Sequence, residues 1–232
     1  MNLSHEKELT AAGHTVRLVR LIGTETGLDK DPLVLCYLMP GEWEALREAC
    51  RALDCPTFYL AAVEPLDWRA ELSPWPDGED FRGLGEGFYH LLMNVMLPAV
   101  FREMAAEPLI IINTGYSLAG LFALWSLYRT PLFDGVICAS GSLWYPGFDG
   151  YMRSETVPPD LCAAYFSIGD RECRTRHPRM SRNEAVMAEA ASIMRAEAVT
   201  TVFEKNRGGH FDDPAGRLAK GIRWMLTEGF LF

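Results

Sequence analysis

No apolar run in the 232 residues comes near the roughly 20 that cross a bilayer, so a membrane span is not expected. The stretch Met1-Asn2-Leu3-Ser4-His5-Glu6-Lys7-Glu8-Leu9 has no apolar h-region of the kind an export signal carries, which predicts a cytoplasmic chain. Basic residues are in deficit: 22 Lys and Arg stand against 31 Asp and Glu, a formal charge of -9. Binding nucleic-acid phosphates calls for the opposite balance, so no such partner is expected. The six cysteines (Cys36, Cys50, Cys55, Cys138, Cys162, Cys173) form no C-x-x-C pair and no regular framework, which predicts reduced thiols. Cys173 and His177 have no second ligand pair nearby, so neither a metal nor another cofactor is expected. There is no internal repeat and no low-complexity tract.

What remains is an ordinary globular composition, 49% hydrophobic and 23% charged, enough for one core and one domain over residues 1–232. Residues 1–31 are assigned to an N-terminal antiparallel hairpin: Ala12-Gly13 supplies a turn, and Thr15 to Leu21 partly alternates polar and apolar. From Pro32 onward, apolar strand-like runs alternate with helical patterns. The strands are Leu33–Leu38, Thr57–Val63, Leu109–Thr114, Gly135–Ser140, Cys162–Ile168 and Thr200–Lys205. The helices are Gly41–Leu53, Gly87–Ala105 with a kink expected at Pro98, Leu118–Tyr128, Ser181–Glu197 and Asp213–Thr227. Such alternation predicts an α/β protein with a doubly wound, mostly parallel sheet and helices on both faces. The polar and aromatic connection at 64–86 is too long for a plain turn, and its indoles Trp68 and Trp75 predict an ordered loop on the active side.

In sheets of this kind the chemistry gathers at the carboxyl ends of the strands. Three such ends carry reactive residues. The first is Asn113-Thr114-Gly115-Tyr116-Ser117-Leu118-Ala119-Gly120, where a strand turns directly into a helix and projects a serine beside free helix N–H groups. The second is Gly169-Asp170-Arg171-Glu172. The third is Asn206-Arg207-Gly208-Gly209-His210. A serine hydroxyl needs a base to take its proton. A histidine with an ordinary pKa of about 6.5 can take it and return it, so activity should fall as His210 protonates in acid. A carboxylate fixes the imidazole tautomer. Ser117, then Glu172 or Asp170, then His210 is the chain order of an α/β-hydrolase triad.

The run Gly115-Tyr116-Ser117-Leu118-Ala119-Gly120-Leu121-Phe122-Ala123-Leu124-Trp125, with Phe133-Asp134-Gly135 and Ala139-Ser140-Gly141-Ser142-Leu143-Trp144-Tyr145, resembles the α/β-hydrolase "putative esterase" family. That family includes esterase D-like enzymes and siderophore esterases. The resemblance extends from about Pro32 to the C-terminus, although Ala119 stands where the family often has glycine. It implies the α/β-hydrolase fold and a serine carboxylic-ester hydrolase, with Ser117 as nucleophile and His210 as base.

In many hydrolases of the fold that this chain resembles, the acid lies three residues past a glycine at the strand end, which implies Glu172; Asp170, nearer the strand, is the alternative. The Leu118 N–H is the expected oxyanion donor. Pro40 has no N–H, so Met39 is the second, with Gly41 behind it. Trp68, Trp75, Trp144 and Tyr145 are candidate substrate-binding residues. The arginines at 171, 174, 176, 179 and 182 are expected to be a solvated loop. The expected partner is a small-molecule ester. Little sequence precedes Pro32 to accommodate a large ligand, which disfavours siderophores. A thioesterase or acyltransferase, and a non-catalytic binding protein of the same fold, are the alternatives.

Overall fold

The structure, a computed structural model, describes residues 2–25 and 30–230. Residues 26–29 of the 1–31 segment, and residues 1, 231 and 232 of the chain, lie outside the described residues.

Ala12 and Gly13 take φ of 53° and 83°, the paired left-handed geometry that closes a tight hairpin. They join β1 (Asn2–Ala11) to β2 (His14–Ile22). Exposed Lys7 and Glu8 carry no apolar signal yet pair in the β1–β2 ladder, opposite Leu18 and Arg17. Strand β2 then pairs antiparallel with β4 (Phe58–Glu64). Every later pairing in this sheet is parallel, through β3 (Leu33–Tyr37), β5 (Ile111–Tyr116), β6 (Gly135–Ala139), β7 (Ala163–Gly169) and β8 (Thr200–Asn206). The order across the eight strands is β1-β2-β4-β3-β5-β6-β7-β8.

Strands β3, β6 and β7 are buried at every residue, which is why they read as apolar runs, broken only by Ser167 in β7. Side chains alternate between two cores. Leu33, Leu35 and Tyr37 point into one, while Val34, Cys36 and Leu38 point into the other. The second core is covered by α1 (Glu42–Ala52) and α7 (Pro214–Trp224), through Trp43, Leu46, Leu218 and Ile222. The first is covered by α2 (Gly85–Leu91), α3 (Leu97–Glu103), α4 (Leu118–Leu127), α5 (Phe148–Ser154) and α6 (Asn183–Ala196).

Helix α4 is buried along its whole length, as its all-round apolar sequence requires. A π turn, Leu92–Met96, joins α2 to α3 where a kink at Pro98 is expected. Proline offers no N–H to the carbonyl four residues back, and the wider turn absorbs the break. Helix α7 is capped by Asp213, whose Oδ1 accepts the Gly216 N–H at 3.1 Å. The 64–86 connection is ordered. It holds a one-turn helix, Trp68–Glu71, capped by Asp67, and a short ribbon pairing Pro76–Asp77 with Phe81–Arg82. All six cysteines are free, four of them buried. Among the described residues no helix is long and apolar enough to cross a membrane.

Candidate active site

Strand β5 ends at Tyr116 and α4 begins at Leu118, so Ser117 alone makes the turn between them. Its φ of 57° and ψ of -122° lie where a serine is strained. The surroundings enforce that conformation. The Ser117 N–H donates to the Ala139 carbonyl at 3.1 Å, and its carbonyl accepts from Ser142 N–H at 2.9 Å and Leu121 N–H at 3.2 Å. The tight turn also requires glycine on both sides. A Cβ at Gly115 would run into the Ala119 carbonyl, and one at Gly120 would sit 3.0 Å from the Gly141 Cα. Ala119 itself is buried without conflict, so the close approach to the next loop falls at Gly120.

The parallel register of β7 and β8 pairs Gly169 with Asn206, which sets the two following loops side by side. His210 reaches back from the second loop, with Nε2 3.0 Å from Ser117 Oγ and Nδ1 2.9 Å from Glu172 Oε2. Asp170 does not meet the imidazole. Its Oδ1 accepts the Gly208 N–H at 2.9 Å, while its side chain is about half exposed. The Glu172 side chain is only 5% exposed. Its other oxygen, Oε1, accepts from Ser140 Oγ at 2.7 Å, the Gly169 N–H at 2.6 Å and Arg217 Nη1 at 2.6 Å. Burial pushes this carboxyl up, but hydrogen bonds from His210, Ser140 and the Gly169 N–H outweigh burial and hold it below the usual range. Glu172 is therefore an anion, able to stabilise an imidazolium.

Leu118 is the first residue of α4, so its N–H has no acceptor within the helix and lies beside the serine. Met39 is not in the expected state. Its N–H donates to Glu42 Oε2 at 2.8 Å while Glu42 N–H donates back to the Met39 carbonyl at 3.1 Å. The first acidic residue of α1 thus reaches back to cap its own loop and engages the donor expected to face the substrate.

Ser117 opens into a cavity of about 350 Å³ lined by Arg69, Ser142, Trp144, Glu172, Met180, Asn183, His210 and Phe211. Of the four candidate aromatic residues, Trp144 alone is on that wall. Trp75 instead donates from Nε1 to the Pro146 carbonyl at 2.8 Å, and its own carbonyl accepts from the Tyr145 hydroxyl at 2.6 Å. These bonds pin the 64–86 connection to the loop after β6. Trp68 packs partly buried against the core. Asn183 holds the Trp144 turn by accepting the Trp144 N–H at 3.0 Å and donating to the Gly141 carbonyl at 2.8 Å. His177 packs edge-on against Trp144 and does not reach Ser117.

Two residues at the site escaped the sequence reading. Ser140 closes an apolar strand-like run with no sign of a role, yet its hydroxyl donates to the Glu172 carboxylate. Arg217 left one readable trace: it lies with Leu218, Gly221 and Ile222 on the buried stripe of α7, where a cation is out of place without a partner.

No protein-family model matches the sequence, and none of the curated proteins matches it significantly. Solved structures do. An IroE-like serine hydrolase from Shewanella oneidensis superposes with a TM-score of 0.74 at 14% identity, over 96% of this chain and 79% of the other. The siderophore hydrolase EstB from Aspergillus nidulans gives 0.74 at 19% identity, over 98% and 96%. The BES protein from Bacillus cereus gives 0.72 at 14% identity, over 97% and 95%. With the sheet order and the strand-turn-helix at Ser117, these likenesses show the α/β-hydrolase fold.

Proposed function

We propose that the chain is a serine carboxylic-ester hydrolase working through an acyl-enzyme. The observation that carries this reading is the continuous path from Ser117 Oγ through the His210 imidazole to the Glu172 carboxylate, 3.0 Å and 2.9 Å long. His210 Nε2 accepts the serine proton as Oγ attacks the ester carbonyl. Glu172 keeps the other imidazole proton on Nδ1 and stabilises the cation that forms. The Leu118 N–H donates to the oxyanion, helped by the positive end of α4. The imidazolium then protonates the departing alcohol, and a water activated by His210 releases the acid. Solved structures named as siderophore hydrolases share this fold, which supports ester chemistry in general.

The cavity volume of about 350 Å³ favours a small ester. The test is a panel of p-nitrophenyl esters of varied acyl length and charge, run against wild type and Ser117→Ala. The expected result is turnover by wild type and none above background in a folded Ser117→Ala. Undiminished turnover in that variant refutes the assignment.

A further inference from the structure

Arg217 is 2% exposed, a cation held inside the protein beneath the proposed site. Burying a guanidinium is costly unless its donors are met. Here every partner belongs to one of the loops that shape the site. Nη1 donates to Glu172 Oε1 at 2.6 Å, to Ser140 Oγ at 3.1 Å and to the Tyr116 hydroxyl at 3.0 Å. Nη2 donates to the Gly209 carbonyl at 2.8 Å and the Arg207 carbonyl at 3.4 Å. Tyr116 in turn donates to the His210 carbonyl at 2.7 Å. One side chain on α7 thus ties together the ends of β5, β6, β7 and β8.

From this we infer that Arg217 is a positioning residue for the proposed reaction. It holds Glu172 Oε2 toward the imidazole by occupying the opposite oxygen, and it fixes the backbone of the loop that carries His210. The glutamate has two oxygens and two tasks. Without the cation, Oε1 keeps only the neutral donors Ser140 and Gly169, and the carboxylate is free to rotate away from Nδ1. A planar fork suits this role because its two nitrogens address the carboxylate and the histidine loop at once. Close packing around the node is consistent with it: a Cβ at Gly169 would stand 2.8 Å from both Arg217 Nη2 and Glu172 Oε1.

The inference rests on the esterase reading, so both are tested in one set of enzymes: wild type, Ser117→Ala, Arg217→Met and Arg217→Lys. Each is titrated with an organophosphate to count reactive serines, and kcat is expressed per titrated site. Activity in wild type and its loss in Ser117→Ala establish the reading independently of Arg217. Arg217→Met is expected to lower kcat per site by about 100-fold with KM within about twofold, because misplacement near 1 Å costs that much. Arg217→Lys restores the charge without the fork and is expected to recover part of the loss. A purely structural arginine would reduce the number of titratable sites and leave kcat per site unchanged, and that result overturns the inference. Should Arg217→Met fail to fold, Arg217→Lys decides alone: reduced kcat at unchanged KM supports the role, and wild-type kcat refutes it.

Discussion

Replacing Glu172 by glutamine removes one charge and almost no volume, and the structure says which way the new amide turns. Three donors, from Ser140, Gly169 and Arg217, converge on the Oε1 position. The amide oxygen must take that side, since an NH₂ group there would face donors only. The amide nitrogen then faces His210 Nδ1 and, being a donor, forces the imidazole proton onto Nε2. That proton points at Ser117 Oγ, and the nucleophile loses its base. The equivalent change in a serine protease triad costs on the order of 10⁴-fold in kcat, about 5 kcal/mol of barrier. The variant is also expected to lose roughly 3–5 kcal/mol of stability, because Arg217 keeps its burial and loses its carboxylate. For a chain of this size that lowers the melting temperature by roughly 6–20 °C. The control is Asp170→Asn. Its side chain is about half exposed, accepts the Gly208 N–H and makes only a loose, solvated ion pair with Arg171 at 4.0 Å, so kcat should stay within about tenfold and the melt should barely move. Steady-state kinetics below the melting range of both variants separates them. A greater loss in Asp170→Asn than in Glu172→Gln would refute the assignment of the acid.

Acid should weaken the fold through the same carboxylate. Folded Glu172 is held below the usual range, while a glutamate in the unfolded chain titrates near about 4.3. The unfolded state therefore takes up protons first, so this contribution is complete above that value and is lost as pH falls through the folded pKa. Denaturant melts across that window should show the loss, and Glu172→Gln should flatten it. Trp75→Ala should cost about 3 kcal/mol by removing a packed indole and its bond to Pro146, with KM for a small ester nearly unchanged. Trp144→Ala, which opens the cavity wall, should raise KM instead.

The fold was legible because β3, β6 and β7 are buried on both faces and so are almost wholly apolar. The turns that carry Ser117 and His210 were legible for a different reason: Gly115 and Gly120 leave no room for a Cβ, and Gly208 takes a φ of 116°. Choosing between Glu172 and Asp170 was harder. Both follow Gly169, and only the approach of the β8 loop decides which carboxyl meets the imidazole. Met39 was read from chain position, without the return of Glu42 that engages its N–H. Trp75 and Tyr145 looked like pocket aromatics because loop indoles carry no mark of what they pack against. They bond to each other's loops and lie off the cavity wall.

The central claim is a covalent acyl intermediate on Ser117. Intact-mass and peptide-mass analysis after rapid acid quench with a slowly turned-over p-nitrophenyl ester tests it directly. One acyl group per chain, located on the peptide containing Ser117 and absent from Ser117→Ala, is the predicted result. Ester hydrolysis with no adduct, or an adduct at Ser142 that persists in Ser117→Ala, would contradict it.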